Sequence, residues 1–295
     1  MKFILDLIKG MFVGVANIIP GVSGGTMAVS MGIYDKLIGA IGNLTKEFKK
    51  SFLTLLPIII GMIAGIGIFS FIIPYCLTNF AFQTCMCFTG LIIGGIPEML
   101  GKTRSALKKE QKHIGPIHIL AFIILLALAV WMALANPESV GADSINVGAL
   151  MMVKLVLLGI AASATMVIPG VSGSLLLMML GYYSGIVGTI RNFISALKDL
   201  NGDALLHCVL VLLPFAIGCI IGILLISKLI SWLLKKFESI TYCAILGLIT
   251  ASPFAIFWKM ESHVFTPVSI IVGIVLFAAA VAFTFLFGKK TKASE

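Results

Sequence analysis

Charge is what this sequence has least of. Only 11% of its 295 residues are Asp, Glu, Lys or Arg, where a soluble domain carries about a quarter. Hydrophobic residues make up 60%, and the mean hydropathy is +1.14. These figures exclude a water-soluble globular domain. Alternating segments of about ten residues, the mark of a membrane barrel, are also lacking. The apolar runs, several of them near the roughly 20 residues a span needs, are therefore read as helices. Metal-ligand spacing is missing too. Cys85 and Cys87 form "CMC", which is not a zinc pattern, and His113, His118, His207 and His263 are scattered. No metal site and no cofactor are expected. Most cysteines lie in apolar runs and behave there as small hydrophobes. The opening segment has no A-x-A-like cleavage site, so it is read as part of the mature fold. The net charge of +9 comes with no recognition module, so nucleic acid is not an expected partner.

What is present is a repeat. Sliding the chain by 149 residues lays "PGVSG" at Pro20–Gly24 on "PGVSG" at Pro169–Gly173. The same register pairs Gly10 with Gly159, Gly32 with Gly181, Tyr34 with Tyr183 and Asn43 with Asn192. After an eight-residue shift, an offset of 157 lays "LLPIIIGMIAGI" (55–66) on "LLPFAIGCIIGI" (212–223). The chain thus reads as repeat 1 (1–135), a linker (136–147), repeat 2 (148–288) and a basic tail (289–295). Each repeat begins with a helical hairpin broken at its motif, over 3–42 and 148–190. The hairpin arms are predicted at 3–19 and 26–42, then 148–168 and 175–190. Three further spans follow in each: 52–77, 84–100 and 116–135, then 205–227, 240–258 and 266–288.

A hairpin returns to its starting side, so each repeat makes three net crossings. An odd number inverts the second repeat. Loop charge supports this orientation. With the N-terminus cytoplasmic, "KEFKK" (46–50), "KTRSALKKEQK" (102–112), "KLISWLLKKFE" (228–238) and "KKTK" (289–292) all fall inside. The segments "NPESVGAD" (136–143), "RNFISALKDLNGD" (191–203) and "KMESH" (259–263) fall outside and are poorer in Lys and Arg. That is the positive-inside pattern. The expected fold is an all-α polytopic membrane protein with two inverted-topology repeats, each a re-entrant hairpin plus three transmembrane helices. Multi-pass insertion with both termini cytoplasmic follows.

The motif itself points to an anion. Non-helical backbone is tolerated at membrane depth only where it is buried in protein or lines a wet cavity. Inverted repeats with broken helices place their substrate at such breaks. The helix after each break presents free N–H groups and the positive end of its dipole. Ser23 and Ser172 are suited to cap those helices or to turn toward a ligand, and Gly24, Gly25 and Gly173 would let a ligand approach the backbone. A tight turn between packed helices is the bland alternative. Asn17 precedes the first break and is a candidate to line it; its counterpart is Met166. Lys154 and Arg191, on the outer side, are candidates for capturing a headgroup, against simple snorkelling. Glu98, beside Pro97 near the inner end of its span, is a candidate for coupling or an interfacial carboxylate.

The paired stretches "IIPGVSGGTMAVSMGIYDKLI" and "VIPGVSGSLLLMMLGYYSGIV" resemble the PopT family of bacterial undecaprenyl-phosphate translocases, and the resemblance covers essentially the whole chain. It implies a flippase of the bacterial cytoplasmic membrane that returns the polyprenyl-phosphate carrier to the inner leaflet for peptidoglycan and other cell-wall synthesis. Carried over by motif, Pro20, Gly21, Ser23, Gly24, Gly25 and Thr26 match the first half-site. Pro169, Gly170, Ser172, Gly173 and Ser174 match the second. The expected partners are undecaprenyl phosphate, the bilayer, a coupling ion (H+ or Na+) and a second copy as a homodimer. A non-enzyme is expected. Membrane undecaprenyl-pyrophosphate phosphatases resemble the chain in a PG-x-S motif, but theirs continues R-S-G. Gly24 and Gly173 stand where that Arg would be, and the first broken helix has no Glu. An ion-coupled small-anion transporter is the third reading.

Overall fold

The computed structural model describes residues 2–19, 22–135, 145, 147–260 and 266–294, without the side chains of 2 and 289–294. These form α1 (Lys2–Ala16), α2 (Gly24–Ser30), α3 (Tyr34–Gly42), α4 (Phe48–Phe69), α5 (Ile72–Asn79), α6 (Ala81–Lys109) and α7 (Pro116–Leu134). They continue with α8 (Ala149–Val167), α9 (Gly173–Met179), α10 (Tyr183–Lys198), α11 (Gly202–Lys236), α12 (Glu238–Trp258) and α13 (Pro267–Ser294). Among the described residues there is no strand. Among the described residues seven helices are long and apolar enough to cross a membrane, and the pair α9–α10, bent by 111°, would make eight.

Two compact units result. One contains residues 1–134, 168–171 and 227–295; the other contains 135–167 and 172–226. In the first, α1 and α4 meet backbone to backbone. A Cβ at Gly10 would lie 2.2 Å from the Ile58 carbonyl oxygen, and one at Gly14 equally close to that of Met62. From the other side, Gly61 faces the Leu7 carbonyl and Gly65 that of Met11, at 2.0 and 2.3 Å. Both numbers rise together along the two helices, so α1 and α4 run parallel. The chain between them therefore returns to the end at which α1 begins.

The second unit builds the same crossing from the matching residues. Gly159 faces the Phe215 carbonyl, Gly218 that of Val156 and Gly222 that of Ile160, at 2.3, 2.1 and 2.5 Å. These are the counterparts of Gly10, Gly61 and Gly65, so α8 and α11 are also parallel. Ile145, Leu155, Leu158, Ala162, Leu177, Ile186 and Val211 form the core of this unit. Small residues at such crossings suit a bilayer, where close backbone packing drives helix association.

The last helices of the first unit pair by exchange. α6 packs on α13 and α12 on α7, while α6 and α12 touch each other. Gly90 meets the Phe277 carbonyl and Gly94 that of Val281, at 2.5 and 2.7 Å, so α6 and α13 are parallel. Gly247, the counterpart of Gly90, meets the Phe122 carbonyl at 2.3 Å. The N-caps of α6 and α12 also match: Phe80 has φ/ψ of −137°/45° and Phe237 of −135°/53°.

Three expectations change. The arms expected at 26–42 and 175–190 are each cut in two, at Gly32 and Gly181, whose φ values are +69° and +76°. These repeat-related glycines supply the left-handed residue that ends α2 and α9, a conformation costly to other side chains. The span expected at 52–77 is interrupted at Ser70–Phe71. Its counterpart α11 runs 35 residues without a break. The span expected at 84–100 extends to Lys109, so Glu98 lies well inside its helix.

At one end of the first unit, Glu110 caps α12. The Ser239 N–H donates to one carboxylate oxygen at 3.0 Å and the Ser239 hydroxyl to the other at 2.8 Å. Lys112 lies at 3.3 Å, and the buried His118 ring meets Ser239 Oγ at 3.0 Å. Desolvation pushes the Glu110 carboxyl up, but the bonds from Ser239 and Lys112 outweigh it and hold it below the usual range. A lowered folded pKa gives stability that is present above the carboxylate range and is lost as pH falls through it. Glu110→Gln should therefore lower the thermal midpoint at neutral pH and flatten its decline between about pH 5 and pH 3. A decline as steep as wild type would remove Glu110 from the acid transition.

Candidate functional site

The first break begins where α1 tightens. After Ala16 the backbone bonds run to the third residue back, with Ile18 N–H on Val15 O at 3.1 Å and Ile19 N–H on Ala16 O at 3.2 Å. Pro20 and Gly21 lie outside the described residues. Ser23 then takes the extended N-cap conformation, φ −101° and ψ 136°, yet its side chain makes no capping bond. Its hydroxyl is buried and has no hydrogen-bond partner among the described residues. A buried, unpaired hydroxyl costs about 1–3 kcal/mol; Ser30, Thr89, Ser227 and Thr284 also bury a hydroxyl without a partner among the described residues.

The second break is built differently. Ser172 does cap its helix, accepting from Leu175 N–H at 3.4 Å, and it also pairs with Ser174 Oγ at 2.9 Å. Ser174 is exposed. Ile168–Val171 belongs to the first unit and Ser172 onward to the second. Within the first unit, Thr26 is fully buried, and the Gly170 N–H donates to its Oγ1 at 2.7 Å. Ser252 Oγ lies 3.3 Å from the same hydroxyl. Thr26 thus braces one motif to the other. Gly170 is held so close to α12 that a Cβ would lie 2.6 Å from the Leu248 carbonyl oxygen.

The Cβ positions of Gly24 and Gly173 face the preceding helix. A Cβ on Gly24 would lie 2.6 Å from the Asn17 side chain, and one on Gly173 2.7 Å from that of Met166. Asn17 and Met166 are repeat counterparts, so one packing solution is used twice, with a polar amide in the first copy and a thioether in the second. These two glycines let the preceding helix approach closely. Gly25 is buried in the first turn of α2. Asn17 is exposed and its amide donates to Val13 O at 3.1 Å; it stands beside the start of α2, where the sequence placed it.

Of the flanking charges, Lys154 is exposed and sits over the Tyr182 ring, 4.8 Å from its centroid. Tyr182 follows Gly181 at the second interruption. Arg191 is exposed on α10. Glu98 presses on the interruption at Gly32, where a Cβ would lie 2.7 Å from its carboxylate, and it also borders Gly288. Lys102 lies one turn on, at 3.9 Å.

Sequence reasoning passed over an ionic group in the first unit. Lys36 pairs with Asp6. Lys102 pairs with Asp35 at 2.7 Å, and the Tyr242 hydroxyl donates to Asp35 at 3.1 Å. Lys9 is fully buried in α1, with its ammonium 5.9 Å from the centre of the Phe287 ring. The repeat counterparts of Asp6, Lys9, Asp35 and Lys36 are Leu155, Leu158, Ser184 and Gly185, so these four charges belong to the first copy alone, whereas Lys102 falls on Lys259 at the offset of 157. The available signal was Asp6 and Lys9 inside an apolar helix, where an ionisable residue implies function by default. No group of side chains able to hold a metal ion occurs among the described residues.

Comparison with known proteins decides the family. A family model described as VCA0040-like, undecaprenyl phosphate translocase-like, matches residues 13–271. The chain belongs to this family. It is 30% identical over 292 residues to a polyprenyl-phosphate transporter of Staphylococcus aureus (strain NCTC 8325 / PS 47), covering 99% of this chain and 98% of the relative. It is 28% identical over 262 residues to a polyprenyl-phosphate transporter of Vibrio cholerae, covering 84% and 75%. No solved structure matches the chain. The family is one of polyprenyl-phosphate translocation, and the chain's helices suit a multi-span membrane protein.

Proposed function

We propose that the protein returns undecaprenyl phosphate from the outer to the inner leaflet of the bacterial cytoplasmic membrane, binding the phosphate at the helix breaks. The observation that carries this reading is the Ser23 hydroxyl, buried and without a partner among the described residues, beside the N–H groups that open α2. A phosphate oxygen would satisfy it. Thr26 and Gly170 hold the two motifs together behind it, and the Asn17 amide flanks it. Lys154 and Arg191 draw the headgroup in from the outer side.

Alternating access fits the helix directions. α7 is joined to α6 by the short turn 110–115, so the two spans run in opposite directions. α13, the repeat counterpart of α7, runs parallel to α6, which supports inversion of the second copy. The Lys and Arg bias supports a cytoplasmic N-terminus. In this reading the ion pairs Asp6–Lys36 and Asp35–Lys102 would open and close with the hairpin, and Glu98 beside Gly32 would couple a cation, H+ or Na+, to that opening. A phosphatase would need an Arg at Gly24 or Gly173, where Asn17 and Met166 leave no room for even a Cβ.

The test separates folding from function. Ser23→Ala removes an unsatisfied hydroxyl, so its thermal midpoint should equal or exceed that of wild type. Its leaflet exchange of labelled undecaprenyl phosphate in proteoliposomes should fall about three- to tenfold, the value of one hydrogen bond. Unchanged exchange would remove Ser23 from the site. Orthophosphate released from undecaprenyl pyrophosphate by the purified protein would favour the phosphatase.

A further inference from the structure

In the first unit, α6 is longer than a bilayer needs. Its 29 residues extend about 43 Å at about 1.5 Å each, against a hydrocarbon core of about 30 Å. α7 starts at Pro116 and has 19 residues, about the length of the core alone. The last turns of α6 and the turn 110–115 therefore stand just outside the hydrocarbon, at the level of lipid phosphates.

α6 carries Lys and Arg only from Lys102 onward. It ends in a left-handed turn. The Gln111 N–H donates to Lys108 O at 3.2 Å, the Lys112 N–H donates to Leu107 O at 3.0 Å, and Gln111 has a φ of 53°; this is how helices commonly close. The reversal brings Lys112 and His113 back beside Arg104 and Lys108. Together with Gln111 and Ile114 they line a hollow of about 660 Å³.

Among the described residues no acid lines this hollow. Glu110 is turned to Ser239, and of the cations it meets Lys112, at 3.3 Å. Glu238 is held by Lys109 at 2.8 Å. Arg104 and Lys108 are exposed, and neither has an ion-pair partner among the described residues. Like charges four residues apart on a helix repel, so the pair opposes folding and an anion relieves it. The helix dipole favours cations in the last turn, which covers Lys108 and Lys109. It does not reach Arg104, and it does not explain the return of Lys112 and His113. Ile114 and Ile117 are exposed beside these charges, at the entry to α7. They offer an apolar surface that a free anion does not need and an acyl chain does.

We infer that the hollow binds the phosphate headgroup of an anionic phospholipid, with Arg104 and Lys108 as donors and the acyl chains along Ile114 and Ile117. A guanidinium grips two phosphate oxygens at once, and basic pockets at the ends of spans hold such headgroups. The bound lipid pins the α6–α7 corner at the membrane surface. No residue of the hollow belongs to a helix break, so the site is separate from the phosphate site proposed above and stands whether or not the chain translocates a lipid.

Native mass spectrometry of the full-length protein, released from nanodiscs of phosphatidylglycerol and phosphatidylcholine, tests the site. Wild type is expected to retain phosphatidylglycerol in preference to phosphatidylcholine. Arg104→Gln combined with Lys108→Gln should weaken that retention about thirtyfold, about fivefold for each cation removed. The same variant should match or exceed the wild-type thermal midpoint in lipid-free detergent, because a repulsion is gone. Lys46→Gln combined with Lys49→Gln removes equal charge around the start of α4 and should leave retention within about twofold, since distant exposed charges are screened. Equal losses in the two double variants would overturn the site, reducing it to diffuse basic charge. Displacement of phosphatidylglycerol by millimolar inorganic phosphate would overturn it in favour of a free anion. Displacement by equimolar undecaprenyl phosphate would overturn it in favour of a landing place for that lipid.

Discussion

Gly61→Val and Gly218→Val should each destabilise the protein by about 3 kcal/mol or more, at the upper end of overpacking effects. A Cβ at Gly61 would lie 2.0 Å from the Leu7 carbonyl oxygen, and one at Gly218 2.1 Å from that of Val156. Both obstacles are helix backbone, so no rotamer change relieves them and the two helices must part. Parting removes the dispersion contacts that hold helices together in lipid. Gly67→Val is the control, because nothing lies within 4 Å of its Cβ position. Thermal midpoints in detergent, read by size-exclusion chromatography, should fall sharply for the first two and stay level for the third. Matching losses at Gly61 and Gly218 would show that the two copies depend on one crossing. A loss at only one of them would break the equivalence.

Thr26→Val should be nearly as damaging, for a different reason. The substitution keeps the volume but removes the acceptor of the Gly170 N–H, which donates at 2.7 Å inside a fully buried setting. An orphaned buried N–H costs about 1–3 kcal/mol. The second motif would also lose its tie to the first. Amide exchange at Gly170 should speed up and translocation should drop. Thr26→Ser keeps the hydroxyl and should restore most of both. If Thr26→Val protects Gly170 as well as wild type does, the brace is not what holds the motifs.

Much of this was legible because membrane insertion constrains sequence strongly. Long apolar runs reported the helices, but the segments 26–42, 175–190 and 52–77 are each cut in two and the helix expected at 84–100 runs on to Lys109. The repeat offsets of 149 and 157 recur in the glycine–carbonyl contacts of α1 with α4 and of α8 with α11. Gly32 and Gly181 were paired by the repeat, but the sequence does not announce that each adopts positive φ and cuts its helix. That depends on backbone conformation, and a glycine in an apolar stretch reads equally well as a packing residue. The roles of Gly24 and Gly173 depended on which groups stand opposite them, and those are the side chains of Asn17 and Met166. The partnering of Ser23 against Ser172 was equally invisible, since two copies of one motif gave no reason for one hydroxyl to be satisfied and the other not. The ion pairs of Asp6 with Lys36 and Asp35 with Lys102 join residues far apart in sequence, and only the folded hairpin brings them together.

The central claim is that this chain moves a phosphate-bearing polyprenyl lipid across the bilayer. The most direct measurement is leaflet exchange by the purified wild-type protein in proteoliposomes, using undecaprenyl phosphate and its dephosphorylated alcohol side by side. Protein-dependent exchange of the phosphate, competed by unlabelled undecaprenyl phosphate and absent for the slow background of protein-free vesicles, is the predicted result. Exchange of undecaprenyl phosphate no faster than in protein-free vesicles would contradict the account.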